Sequence, residues 1–126
     1  MTRDRCSAPS PAELGRMGED LAALFLEGQG LVVLSRNWRC PEGELDIVAA
    51  DRGGRLVVCE VKTRSGPDFG KPSEAVDYVK ATRIRRLTHR WRAAHKVAYC
   101  DTRFDIISIL WPGYGPARVE HLRGAF

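Results

Sequence analysis

No stretch of this 126-residue chain approaches the ~20 consecutive apolar residues that a membrane-crossing helix requires, so no membrane partner is expected. Met1 to Pro11 lacks the apolar core of a signal peptide and is expected to be a short disordered tail before a single domain over 12–126. The four cysteines, Cys6, Cys40, Cys59 and Cys100, show no CxxC spacing. That argues against zinc-ribbon and thioredoxin-like motifs and suits the reduced thiols of a cytoplasmic protein better than a disulfide framework. His89, His95 and His121 lack ligand spacing, and there is no Walker motif or dinucleotide fingerprint. Histidine-based and organic-cofactor chemistry therefore finds no support.

Acidic residues are missing between Asp77 and Asp101, where Lys80, Arg83, Arg85, Arg86, Arg90, Arg92 and Lys96 all fall. A concentrated basic stretch on a domain of net charge +4 suits a polyanionic partner. A solvated helix face is the plain alternative. Hydrophobic residues at 44% and charged residues at 29% are near the globular average, which excludes wholesale disorder.

Leu14, Met17, Leu21, Leu24 and Phe25 recur at helical spacing, so Pro11 to Gln29 reads as a first helix, stopped by Gly28 and Gly30. Leu31 to Leu34 reads as a short buried strand, followed by a polar segment and a Pro41-Glu42-Gly43 turn. Glu44 to Ala50 alternates, with Glu44, Asp46 and Val48 on one face and Leu45, Ile47 and Ala49 on the other. Asp51 to Arg55 makes a hairpin loop, and Leu56 to Thr63 returns antiparallel. In that register Ala50 faces Leu56, Asp46 faces Glu60 and Glu44 faces Lys62. Arg64 to Pro72 is a loop. Ser73 can cap a second helix from Glu74 to about His95, its inward side Val76, Val79, Leu87, Trp91 and Ala94, with Lys80 and Arg83 in the same sector. Arg103 to Leu110 is a fourth strand, Trp111 to Pro116 a loop, and Val119 to Leu122 an edge strand.

Charge inside apolar strands is costly unless it is paired or binds an ion. Glu44-Leu45-Asp46 and Glu60-Val61-Lys62 bring carboxylates and an amine to the ends of neighbouring apolar runs. That set suits a divalent cation, Mg²⁺ or Mn²⁺, held by Asp46, Glu60 and the main-chain carbonyl of Val61. Lys62 would serve the attacking water and the phosphate in phosphodiester hydrolysis, and Glu44 would be a second ligand or the partner of Lys62. A structural salt-bridge network is the alternative. Asp105 reads as a structural partner of Arg103 or Arg39. Trp38, Trp91 and Trp111 are candidates to stack on exposed bases, with core packing the plainer role.

Asp46, its spacing to Glu60, and Glu60-Val61-Lys62 resemble the PD-(D/E)XK nuclease signature, although Leu45 stands where a proline usually precedes the aspartate. More specifically, the chain resembles the YraN-like family of small bacterial proteins. The resemblance lies in GRMGEDLAALFL (15–26), LSRNWRCPEGELDIVA (34–49), VCEVKTRSGPDFGKPSEAV (58–76), KATRIRRL (80–87), RFDIISI (103–109) and HLRGAF (121–126). It implies an α/β, restriction-endonuclease-like fold, a mixed central sheet of about five strands flanked by helices. The chain is also distantly similar to archaeal Holliday-junction resolvases, which place a glutamate on the first helix near the metal. Glu19 stands at that position, beside the small residues Gly15, Ala22 and Ala23, and joins the expected metal set. Lys80 resembles an auxiliary polar residue of some nucleases.

The leading expectation is a nucleic-acid-binding, Mg²⁺- or Mn²⁺-dependent endonuclease acting on branched, flap or otherwise structured DNA. Glu19, Asp46, Glu60 and Lys62 would be its catalytic set, with Arg83, Arg85, Arg86, Arg90 and Arg92 on the DNA backbone. Junction cutting would favour a homodimer. The alternatives are a non-catalytic nucleic-acid-binding module on the same scaffold, and a structural or interaction protein.

Overall fold

A computed structural model describes residues 9–66, 76–112 and 115–126. The elements are α1 (Pro11–Gly28), β1 (Val32–Cys40), β2 (Gly43–Ala50), β3 (Leu56–Arg64), α2 (Tyr78–His95), β4 (Thr102–Leu110) and β5 (Arg118–Leu122). The strands form one sheet in the order β1-β2-β3-β4-β5. Only β3 and β4 run parallel, because α2 carries the chain between them; the other neighbours are antiparallel. One helix covers each face of the sheet. This is the α/β architecture, a five-stranded mixed sheet flanked by helices, that the family resemblance implies.

α1 begins where Ser10 and Glu13 exchange hydrogen bonds as a capping box, with Pro11 as the first helical residue. Its buried positions are Gly18, Ala22, Ala23 and Leu26, whereas Leu24 is 65% exposed. The expected stripe of large residues is therefore rotated. The sheet beneath is already filled by Ile47, Val57, Ile107 and Ile109, leaving room mainly for small side chains. At Gly18 the approach is close enough that an added Cβ would lie 1.8 Å from the Thr63 hydroxyl.

β1 extends through the segment expected to be polar loop and pairs only with β2, so it is an edge strand. Val32 and Leu34 are accordingly exposed rather than buried. The hairpin between β2 and β3 matches expectation: Asp51 Oδ1 accepts from the Gly53 and Arg55 N–H groups, and Ala50 pairs with Leu56.

α2 starts at Tyr78, with the Asp77 carboxylate accepting from the Lys80 N–H. Ser73 and Glu74, expected as its cap and first residue, lie outside the described residues. Ile84, Leu87, Thr88, Trp91 and Arg92 are its buried residues. Val79 is 67% exposed, because it lies five residues and hence about 140° from Ile84. Ala94 is exposed as well. Trp91 is 2% exposed and donates to Ser35 Oγ at 2.9 Å, while Trp38 and Trp111 pack against the two core clusters. The tryptophans thus serve packing first.

Asp105 is the most heavily tied charge in the core. It is 0% exposed and bound by Arg103 through two contacts (2.9 and 2.8 Å), by His121 Nε2 (2.7 Å) and by the Gly124 N–H (2.9 Å). Burial acts to raise its carboxyl, but the Arg103, Gly124 and His121 contacts outweigh burial and hold it below the ordinary carboxylate value. With the Ala125 N–H donating to the Phe104 carbonyl, this network pins the C-terminal strand and turn to β4.

Candidate active site

The ladder between β2 and β3 runs from Ala50–Leu56 to Ile47–Cys59 and then stops. The expected facing pairs Asp46–Glu60 and Glu44–Lys62 therefore do not form as ladder pairs. The side-chain alternation of β2 also breaks here. Leu45 packs with Val48 in the α2-side cluster, while Ile47 lies in the α1-side cluster. Across from this break, β1 carries Asn37 with φ of 52° between the partners Trp38–Leu45 and Arg36–Ile47. Asp46 sits at that break, and its Oδ2 accepts the Val61 N–H at 2.9 Å. A carboxylate takes the place of a ladder carbonyl where the two strands part.

The site is crowded with negative charge. Burial first, then the Glu60 carboxylate, raise the pKa of Asp46 from 3.8 to about 7. The Val61 N–H works the other way, and the charges of Glu19 and Glu44 add to the rise. The three glutamates singled out from sequence are thus within electrostatic reach of Asp46. Each is held differently. Glu60 Oε2 meets Lys80 Nζ at 2.7 Å, which settles the inward direction of Lys80. Glu44 faces Arg39, at 3.5 Å, and not Lys62. Glu19 is half-buried and follows Gly18, whose contact with Thr63 sets how near α1 comes to β3.

Lys62 shares a face of β3 with Glu60 by alternation, is exposed, and forms no ion pair or hydrogen bond with the described residues. Lys62 is also one of the residues lining a cleft shared with the start of α1 and with Trp111.

Among the described residues, no three His, Cys, Asp or Glu side chains are already gathered around one point where a metal ion would sit. The donor chemistry fits a hard divalent cation all the same. Mg²⁺ takes one or two carboxylates and fills its remaining positions with water and phosphate. Asp46 and Glu60 supply that number, and the raised Asp46 marks a shortage of positive charge that a cation would relieve.

The arginines of α2 do not form one surface. Arg83 and Arg86 flank an exposed depression with Tyr78, Val79, Thr82 and Glu42, and Arg90 is ion-paired with Glu42. Arg85 instead lies 4.5 Å from the Phe104 ring centroid. Arg92, expected on the DNA backbone, is 7% exposed and donates to Thr102 Oγ1 at 3.1 Å. It is a buried packing residue, seven positions from Arg85 and so on the same helical stripe. The Asp105–His121 contact escaped sequence reasoning because its partners lie 16 residues apart on different strands.

Residues 18–109 match the Uncharacterised protein family UPF0102. A UPF0102 protein of Frankia alni is 57% identical over 113 residues, covering 90% of this chain and 93% of that relative. One from a Nocardioides species is 50% identical over 124 residues, with 98% of both chains covered. Among solved structures, a repair endonuclease from Pyrococcus abyssi superposes with a TM-score of 0.45 and 16% identity, covering 83% of this chain and 40% of that one. An EndoMS–dsDNA complex superposes with a TM-score of 0.40 and 18% identity, covering 67% of this chain and 32% of that one. The chain spans less than half of either protein, so its chemistry is argued from its own residues.

Proposed function

We propose that this chain, which belongs to the UPF0102 family, is a divalent-metal-dependent endonuclease that hydrolyses phosphodiesters in branched, flap or otherwise structured DNA. The observation that carries this reading is the half-buried Asp46 carboxylate, which accepts the Val61 N–H where β2 and β3 part and is raised to about 7 by burial and by the charges of Glu60, Glu19 and Glu44. Asp46 and Glu60 would hold Mg²⁺ or Mn²⁺, with Glu19 and the Val61 carbonyl completing the set. Bound there, the cation would supply Lewis acidity at the phosphate and offset the charge that grows on it.

The chain's own residues do the rest. The Val61 N–H fixes the Asp46 carboxylate in one orientation. Lys62, which pairs with none of the described residues, offers its amine to the phosphate and to the attacking water. Lys80 keeps Glu60 from adding its full charge to the site while the cation is away. Arg83 and Arg86 provide phosphate contacts that position the backbone without reading sequence.

Cleavage of labelled flap, junction and single-stranded DNA with Mn²⁺ tests the reading. The wild type should cut, and Asp46→Ala and Lys62→Ala should lose cutting while retaining binding. Cutting that persists in Asp46→Ala overturns it. The Lys80–Glu60 pair favours a second reading, a nucleic-acid-binding module without turnover in which Glu60 stays committed to Lys80. Salt-sensitive binding without cleavage, together with Mn²⁺ affinity that appears only in Lys80→Ala, would select it.

A further inference from the structure

Beside Lys62 the fold leaves a cleft of about 400 Å³, within the usual range for small-molecule sites. One wall is the start of α1, with Pro11, Leu14 and Met17; another is Trp111. The end of β3 closes it with Lys62 and Arg64. Among the described residues the lining is mainly apolar, and its charged members are Lys62 and Arg64. Gly18 allows α1 to rest against Thr63, which itself lines the cleft.

A hydrocarbon ligand would leave Lys62 unused, and a small inorganic anion would leave the apolar walls unused. An apolar, flat group joined to a phosphate uses both. We propose that this cleft receives one unpaired nucleobase, packed against Trp111, Leu14 and Met17, with the attached phosphate directed to Lys62. The inference rests on the nuclease reading and deepens it: the substrate must present a base free of its complement next to the phosphate that Lys62 serves. A base paired within a continuous duplex cannot enter. Flaps, gaps and single-stranded ends can.

The test is binding, measured on the full chain in EDTA, so that it does not depend on turnover. Fluorescence anisotropy would compare a labelled five-nucleotide thymidine strand with the same strand made abasic, which retains every phosphate. The wild type should bind the abasic strand about tenfold more weakly, the scale of one lost base–aromatic contact. Leu14→Trp fills the cleft and should bind both strands equally, at the weaker level. Ser65→Trp, placed at the exposed rim, should do the same and guards against a folding defect in the first variant. Equal binding of the two strands by the wild type overturns the proposal, as does undiminished discrimination in both folded variants. Base discrimination without any Mn²⁺-dependent cleavage would preserve the cleft and remove the nuclease. Cleavage without discrimination would do the reverse.

Discussion

Replacing Asp46 by asparagine should stabilise the metal-free protein at alkaline pH. In the folded chain the carboxyl is raised from 3.8 to about 7, by burial and then by Glu60, Glu19 and Glu44. A group whose folded pKa exceeds its unfolded one contributes stability at low pH and loses it as the pH rises through the folded value. For Asp46 that window runs from about pH 4 to about pH 7. At about 1.36 kcal/mol per pKa unit, the full loss is on the order of 4 kcal/mol, of which about 2–3 kcal/mol falls between pH 5 and pH 8. Asparagine keeps an oxygen to accept the Val61 N–H and has no charge to titrate. Urea unfolding of both proteins in EDTA, at pH 5 and pH 8, reads the difference directly, and the histidines they share cancel. Asp46→Asn should gain about 2–3 kcal/mol on the wild type between the two pH values. Added Mn²⁺ at a hundred times its Kd should return about 2.7 kcal/mol to the wild type at pH 8 and nothing to the variant. A variant equally destabilised at both pH values would refute the crowded-carboxylate account.

Gly18→Ala should cost about 1–3 kcal/mol, because the new Cβ would meet the Thr63 hydroxyl at 1.8 Å and its Cβ at 2.8 Å. Thr63→Ala in the same chain should restore only part of that in a denaturant titration, since the Thr63 Cβ contact remains. Asp105→Asn should lose about 3–5 kcal/mol at neutral pH by leaving Arg103 uncompensated. Because the Asp105 carboxyl is held below its ordinary value, its contribution is fully present above that value and is lost as the pH falls from it through the lowered folded value. Acid unfolding of the variant should accordingly lack that limb. Arg83→Ala with Arg86→Ala should weaken DNA binding evenly across sequences and reduce the slope of log affinity against log salt by about 2.

Much of the site was legible because turn chemistry fixes register. A five-residue loop over Asp51 to Arg55 set Ala50 opposite Leu56, as observed, and so brought GELD and EVK to neighbouring strands. Extrapolating strict alternation past Ile47 was the error. A strand that breaks its own pleat at Asp46 does so because the carboxylate bonds a main-chain N–H across the gap, and no local propensity encodes that. α1 misled for a related reason: periodicity finds large apolar residues, whereas the sheet beneath it admits Gly18, Ala22 and Ala23. Lys80 was readable as inward-facing, but its partner Glu60 lies 20 residues away across the β3–β4 crossover. The Asp105 network joins β4, β5 and the C-terminal turn, and Arg92 is buried only because α2 docks as it does on β4. Such contacts follow from assembly rather than from any window of sequence.

Everything proposed for the site requires Asp46 and Glu60 to hold a divalent cation where β2 and β3 part. Crystals grown with Mn²⁺ and measured for anomalous scattering test it most directly. A peak should appear at the Asp46 and Glu60 carboxylates, with Glu60 withdrawn from Lys80. A peak found only elsewhere, or none at saturating Mn²⁺ with the Lys80–Glu60 pair intact, would contradict it.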